Sequence, residues 1–220
     1  GRWQEAAQEY QSILALNPDR TERGKLAWSM LKTYRKANAP ITGQEAPLRG
    51  QGLATAKGLL NACSLFYTYW PHAIDERREC ESFSIHLAIN QRQEELAMQK
   101  LWLYIANYPK ESSEAIYALL VLFKDDNPTI ISGCEKLLRI PELQSGPVAI
   151  YLRERLREAR FEEIARLATP QDQASAYASF AEQERPAKLA LEAISRAIAI
   201  TASKWQQKAL YLRIYIEKFP

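Results

Sequence analysis

The sequence predicts an all-α protein whose successive helices form antiparallel hairpins that stack into a solenoid. Apolar residues recur at spacings of three and four between breaks made by Pro, Gly, Asn and Asp. No segment shows sustained alternation of apolar and polar residues, which a half-buried strand would require. The turns between the predicted helices are very short, and a long row of short-linked helices favours a solenoid.

This periodicity predicts about twelve helices, at residues 2–16, 20–37, 53–70, 73–89, 91–108, 112–124, 128–139, 146–158, 160–168, 170–184, 186–201 and 203–219. The run Ala115–Phe123 is continuously apolar, but it is longer than a usual buried strand and is bounded by Ser112–Ser113 and Asp125–Pro128, so we predict a helix. Thr169–Asp172 combines a capping hydroxyl, a proline at the first helical position and an acid three residues later. A helix should therefore start there.

The composition disfavours some classes of function but does not identify one. The chain has 220 residues and is 47% hydrophobic, which is enough for one large core or two small ones without metals or disulfides. Its formal net charge of +3 lacks the concentrated positive field of a nucleic-acid-binding protein. Residues 1–60 contain nine Lys or Arg against five Asp or Glu, so the basic bias lies in the N-terminal part. The richest apolar segment, Leu53–Trp70, contains Lys57 and ends at Pro71, which disfavours a membrane span.

The three cysteines, Cys63, Cys80 and Cys134, are widely spaced and form no C-x-x-C motif. We expect buried free thiols, which fit a reducing compartment slightly better than an oxidising one. One disulfide plus one free thiol is the alternative. Localisation stays open between the cytoplasm and a bacterial cell envelope.

The opening residues carry a recognisable pattern. Gly1–Ala6 leads into Tyr10, Ile13 and Pro18, and this resembles the turn and second helix of a tetratricopeptide repeat. Small Ala6 permits close helix packing, Tyr10 and Ile13 fill the groove, and Pro18 ends the helix.

The same offsets recur along the chain. The best match is Ala97, Leu101, Tyr104 and Pro109. A looser match is Ile116, Leu120, Phe123 and Pro128. A partial match is Ala190, Ile194 and Ala197, and the preceding helix carries Tyr177, Ala178 and Ala181. Residues 160–164 are similar to the turn between the two helices of a repeat, with Arg160 in place of glycine. Tyr108–Pro109 followed by Ser112–Ser113 is similar to repeats common in bacterial envelope scaffolds.

The resemblance implies an irregular, right-handed tetratricopeptide-like α-solenoid. The clearest alanines, Ala6, Ala97 and Ala190, are 91 and 93 residues apart, neither a multiple of the repeat length of about 34, and residues 38–90 match poorly. We divide the chain into residues 1–52, a half-repeat, helix and long connector, and residues 53–220, one continuous array. A generic irregular α-solenoid is the alternative. Gly1 resembles an interior inter-helix turn and Pro220 the end of an interior repeat, so we expect a fragment of a longer chain.

No catalytic or metal-binding constellation is evident, so we predict no enzyme activity, metal or cofactor. His72 and His86 lie in no H-E-x-x-H motif, and Cys80 and His86 are turned about 120° apart on one predicted helix. Asp125–Asp126 is typical of a helix terminus. Gly50–Gly52 has no preceding strand and no following G-K-[ST], so it is interpreted as connector.

Three features are candidates for binding a peptide or protein partner: a helix face with lysines, an apolar helix edge and a long connector. On the helix at 20–37, Lys25, Ser29, Lys32 and Lys36 share one face opposite Leu26, Met30, Leu31 and Tyr34. In the resembled family such a first helix lines the concave groove, so this face is expected to receive an acidic segment, unless it is an ordinary solvated surface.

The helix at 53–70 is apolar almost all round, with Leu59, Cys63, Phe66 and Trp70 on one stripe. It is either packed between two neighbours or exposes an edge at Tyr69 and Trp70 suited to a partner. Similarly, the connector at 38–52 either contacts a partner or spans an irregular join, and we favour the join.

We therefore predict a scaffold that presents a concave helical surface to a peptide or protein, within a larger assembly. The alternative is a helical accessory region of an enzyme, such as a lytic transglycosylase, whose catalytic domain lies outside this sequence. RNA binding by helical repeats fits less well because the charge is nearly neutral and the repeat period is unsteady.

Overall fold

The computed structural model describes residues 2–16, 19–37, 46–183, 188–200 and 205–218. Of these residues about 85% are helical and none is in a β-strand, which confirms the all-α class. The chain folds as two compact units, Gly1–Leu122 and Phe123–Pro220. Each unit has its own buried core.

The first unit consists of successive helices, each packed against the next in the sequence. They are α1 (Trp3–Ala15), α2 (Arg20–Ala37), α3 (Gly50–Tyr69), α4 (Ile74–Asn90), α5 (Glu94–Asn107) and α6 (Ser113–Leu122), with a 3₁₀ turn at Pro109–Glu111. Met30 and Leu31 of α2 and Leu59 and Phe66 of α3 are buried in one apolar cluster. Helix α3 contacts both α2 and α4, which explains why its sequence is apolar around most of its circumference.

Close packing of α2 on α3 depends on one glycine. Gly58 faces the ring of Tyr34, and a Cβ atom at this position would overlap that ring. Gly58 and Tyr34 are both buried. The ring can therefore lie directly on the α3 backbone only because Gly58 has no side chain.

The second unit also consists of helices that follow one another in space. They are α7 (Asn127–Leu138), α8 (Gly146–Ile164), α9 (Pro170–Gln183), α10 (Lys188–Ile200) and α11 (Trp205–Lys218), with a 3₁₀ turn at Pro141–Leu143. Small side chains dominate the facing sides of α9 and α10, where Ala178, Ala181, Ala190, Ala193 and Ala197 are all buried. These alanines let the two helices approach closely.

Most positions that carried the recurring offsets are buried where they were expected to pack. Ala97, Leu101 and Tyr104 lie in the core of the first unit, and Ala190 and Ile194 lie in that of the second. Ile13 of α1 is 37% exposed and departs from this trend. Burial agrees with the predicted packing roles, and the family resemblance stays a prediction.

The predicted break between residues 158 and 160 is wrong. Helix α8 runs without interruption from Gly146 to Ile164, so Arg160–Ile164 is not an inter-helix turn. Arginine is a good helix former, and the segment has no Gly or Pro to stop the helix. Arg160 instead forms an ion pair with Glu135 of α7 at 2.9 Å.

The other helix boundaries lie close to the predicted ones. Ala115–Leu122 is helical, as expected for the continuous apolar run. Helix α9 starts at Pro170, and the Thr169 hydroxyl oxygen accepts a hydrogen bond from the Asp172 backbone N–H at 3.1 Å. The predicted capping pattern is therefore confirmed.

The described part of the predicted connector makes an intramolecular join. Asn90, at the end of α4, accepts a hydrogen bond from the Leu48 N–H at 2.9 Å and donates one to the Ala46 carbonyl at 3.3 Å. Gln91 donates to the Leu48 carbonyl at 3.2 Å. Gly50–Gly52, expected to be connector, is the first turn of α3, and Gly50 there has φ of 51°, which glycine tolerates. Residues 38–45 of the predicted connector lie outside the described residues.

Candidate partner-binding site

Helix α2 presents its lysines to solvent and its apolar side to the core. Lys25, Lys32 and Lys36 are exposed and Ser29 is half-buried, whereas Met30 and Leu31 are buried. The helix begins at Arg20 because the Asp19 side chain accepts a hydrogen bond from the Glu22 backbone N–H at 2.9 Å. The lysines are turned outward because Met30 and Leu31, on the opposite face, are buried in the core.

A row of aromatic rings lies beside the lysines. The Trp28 and Phe66 ring centroids are 5.2 Å apart, and the rings of Phe66 and Trp70 are stacked at 6.4 Å. The Lys32 ammonium lies over the Trp28 ring, 5.2 Å from its centroid. This distance is suitable for a cation–π contact that holds the lysine on the aromatic surface.

The aromatic edge predicted at Tyr69 and Trp70 is attached to the start of α2. The Trp70 indole N–H donates a hydrogen bond to the Gly24 carbonyl at 3.3 Å, and Gly24 is buried next to the Trp70 ring and the Tyr69 Cβ. Trp70 remains 49% exposed and Tyr69 is half-buried. The Trp70 ring is therefore held against α2 and is still accessible to a partner.

These contacts create a pocket of about 310 Å³ lined by Thr21, Gly24, Lys25, Tyr69 and Trp70. The lysine face and the aromatic edge, which the sequence suggested as separate candidates, meet here. We call the pocket and the adjoining Lys32 and Trp28 the α2–α3 surface. It combines an ammonium group, a hydroxyl and two aromatic rings, a set that suits an acidic group next to an apolar side chain.

The charge of this surface is largely uncompensated. Arg35, on the same helix, is already paired with Glu79 of α4 at 2.8 Å. Within the described residues, Lys25 and Lys32 form no ion pair with a carboxylate. Both ammonium groups are therefore available to an incoming carboxylate.

Behind the α2–α3 surface lies a disulfide, so the prediction of free thiols is wrong for two of the three cysteines. Cys63 of α3 and Cys80 of α4 are bonded, with their Cα atoms 6.1 Å apart, and both are buried in the cluster that contains Phe66. Cys134 is free and buried, as expected.

A signal for this bond was present in the sequence. Cys63 is seven residues before Trp70, and Cys80 is seven residues after Ala73, so both lie at equal distances from the turn between α3 and α4. In a hairpin of two antiparallel helices, residues at equal distances from the turn lie at the same height and can contact each other. The pairing was missed because the cysteines were considered by spacing alone, without the predicted turn.

A polar cluster around Tyr67 also lies near the disulfide. The Tyr67 hydroxyl is within hydrogen-bonding distance of the backbone carbonyls of Glu76, at 3.3 Å, and Arg77, at 3.0 Å. Burial raises the pKa of Tyr67 well above its ordinary value, and the charge of Glu81 raises it further. Arg77 donates a hydrogen bond to the Glu81 carboxylate at 2.9 Å. The cluster therefore joins α3 to α4.

The structure locates each residue that was considered for catalysis. Cys80 is bonded to Cys63, and His72 and His86 are both exposed. Asp125–Asp126 lies in the turn between α6 and α7, as predicted. Within the described ranges, no three His, Cys, Asp or Glu side chains are grouped so that they could hold a metal ion. Among the same residues, no helix is long and apolar enough to cross a membrane.

The chain matches no protein-family model, and no curated protein or solved structure is similar to it at a significant level.

Proposed function

We propose that this chain is a protein-interaction module, built as a right-handed solenoid of tetratricopeptide-like repeats, whose α2–α3 surface binds an acidic segment of a partner protein. The all-helical fold and the burial of the recurring Ala, Leu and Ile positions support the repeat architecture. The near-neutral net charge supports a protein partner over nucleic acid.

The observation that carries the proposal is the position of Lys25 at the pocket formed by Tyr69 and Trp70. An exposed lysine alone is an ordinary surface feature, and an exposed tryptophan alone needs no explanation. Together they offer an apolar contact beside a cation, which matches a segment with Asp or Glu next to a large apolar residue. Lys32 and Lys36 extend the positive charge along α2 and would attract such a segment from a distance.

The disulfide between Cys63 and Cys80 supports an oxidising compartment, because such bonds are rare in reducing cytosol. The cysteine spacing alone slightly favoured a reducing compartment, and the disulfide reverses that preference. An extracytoplasmic scaffold is therefore our first choice. The same observation favours the second candidate, a helical accessory region of an envelope enzyme, over RNA binding.

Equilibrium binding to a labelled peptide tests the proposal. The peptide carries Asp and Glu residues around one central tryptophan, and its controls replace the acids by their amides or the tryptophan by serine. Replacing Lys25, Lys32 and Lys36 by alanine should weaken binding about tenfold, since each exposed charge pair contributes roughly 0.2–1 kcal/mol. Trp70→Ala should weaken binding by a similar factor or more.

The matched control replaces three exposed lysines elsewhere, Lys57, Lys110 and Lys188, by alanine. It changes the net charge equally and should leave the affinity within about twofold. Equal losses in both triple variants would show a non-specific charge effect, and no loss in either would refute the α2–α3 surface as the site.

A further inference from the structure

A second concave feature of the first unit lies away from the α2–α3 surface. Helices α4 and α6 are the walls of a groove of about 330 Å³, and α5 is its floor. We call it the α4–α6 groove. Its volume is at the lower end of the range for ligand sites in proteins and is large enough for a bulky side chain of a partner.

The lining of the groove is mostly apolar, with Ser82 and His86 as the polar residues of α4. Ile85 and Ile89 of α4 face Ala118 and Val121 of α6, and Leu101 of α5 is buried at the floor. Val121 is 74% exposed. Ala118 contributes only a methyl group to the lining. An aliphatic side chain inserted here would remove water from methyl groups on both sides.

The rim of the groove is acidic. Glu111 and Glu114 line it, and His86 lines the groove on the α4 side. Arg78 lies 3.9 Å from Glu111 and is shared with Asp75 at 3.3 Å, whereas Glu114 forms no ion pair within the described residues. The formal charges of Arg78 and these three carboxylates add to a negative sum.

Tyr104 of α5 also lines the groove. Burial raises the pKa of the Tyr104 hydroxyl, Arg78 lowers it, and Glu111, Glu81 and Glu114 raise it further. Burial is the largest of these effects, so the charge of the rim rests on its carboxylates. A cation brought to the rim would be attracted by Glu111 and Glu114, which line it.

We propose that the α4–α6 groove binds a protein segment that presents an aliphatic side chain directly beside a lysine or arginine. The aliphatic group would fill the space next to Ala118, and the adjacent cation would lie at Glu111 and Glu114. Charge complementarity selects this occupant, because an acidic segment suited to the α2–α3 surface would be repelled here. The inference rests on the proposed role as a protein-binding module, but it does not depend on Lys25 or Trp70.

The test uses the intact chain and a short fluorescein-labelled peptide in which leucines alternate with lysines. Two control peptides of equal length replace every leucine by serine or every lysine by glutamate. Anisotropy should show saturable binding of the first peptide at micromolar concentration and none of the controls below about 1 mM.

Two variants assign the binding to the groove. Ala118→Trp fills it and should weaken binding at least tenfold, while the control Ala106→Trp, on an exposed position of α5 outside the groove, should have no effect. The double variant Glu111→Gln and Glu114→Gln should weaken binding about threefold to tenfold and reduce its salt dependence. Because these two glutamates are exposed, this variant keeps the test valid even if Ala118→Trp misfolds.

Failure of this inference is separable from failure of the proposed function. Absence of peptide binding, or binding that neither variant weakens, would overturn the groove assignment. The lysine triple variant should bind the leucine–lysine peptide as the wild type does, and the Glu111/Glu114 variant should bind the acidic peptide as the wild type does. If one variant abolished both interactions, separate sites would be ruled out and this inference would be wrong.

Discussion

The disulfide between Cys63 and Cys80 should contribute about 3 kcal/mol to the stability of the first unit. It closes a loop with a sequence separation of 17 residues. The chain-entropy model gives a loss of about 10.5 cal/mol/K in the unfolded state for a loop of this length, or about 3 kcal/mol at room temperature. The bond therefore accounts for a large share of the stability of a marginal fold.

Urea unfolding followed by tryptophan fluorescence measures this contribution, because Trp28 and Trp70 lie in the same unit as the disulfide. With a denaturant slope of about 1.5–2 kcal/mol/M, reduction should lower the transition midpoint by roughly 1.5–2 M. Cys134→Ala should keep this sensitivity to reductant, and the double variant Cys63→Ala and Cys80→Ala should lose it. An unchanged midpoint after complete reduction would refute the proposed contribution of the bond.

Three further predictions concern single positions. Gly58→Ala should destabilise the first unit by about 1–3 kcal/mol, because its Cβ would overlap the buried Tyr34 ring. The control Gly52→Ala, where the nearest atom is at an ordinary 3.6 Å, should be neutral or stabilising by up to about 1 kcal/mol. The urea unfolding midpoints of the two variants measure the difference. Thr169→Ala should cost the second unit about 1 kcal/mol by removing the helix cap, and Thr169→Ser should restore most of it in the same assay. Burial raises the pKa of the Cys134 thiol to about 11, so a thiol reagent at pH 8 should detect it only in the denatured protein. The denatured protein should show one reactive thiol before the disulfide is reduced and three afterwards.

The same pKa shift has a defined effect on stability. The folded pKa of Cys134 is above the ordinary value of 9.0, so its contribution to stability is complete below pH 9 and is lost as the pH rises toward about 11. Cys134→Ser should remove this contribution to the pH dependence. An alkylation rate that is equal in the native and denatured proteins at pH 8 would show that the thiol is not buried.

Local patterns were sufficient to predict most helices, because each depends on spacing and caps within one segment. The Thr169 cap and the helical state of the apolar run after Ala115 follow from neighbouring residues alone. The break expected near Arg160 failed for the opposite reason: it was inferred from a family pattern, although the local residues favour continuation of α8.

The candidate site was predictable only in its parts. Exposure of Lys25 follows from the helical period of α2, and the apolar stripe of α3 ends at Trp70. Their meeting depends on how α2 packs against α3, and the hydrogen bond from Trp70 to the Gly24 carbonyl joins residues 46 positions apart. No pattern within either segment encodes that contact. The α4–α6 groove was missed because its lining comes from α4, α5 and α6 together, and no single segment encodes how these helices pack.

Association kinetics at several salt concentrations test the central claim most directly. If an acidic segment binds the α2–α3 surface, the variant lacking Lys25, Lys32 and Lys36 should associate about tenfold more slowly with the acidic peptide, with a weaker salt dependence and a nearly unchanged dissociation rate. Its urea midpoint should match the wild type, because Met30 and Leu31 still pack the opposite face of α2. Association rates and salt dependence identical to those of the wild type would contradict the account.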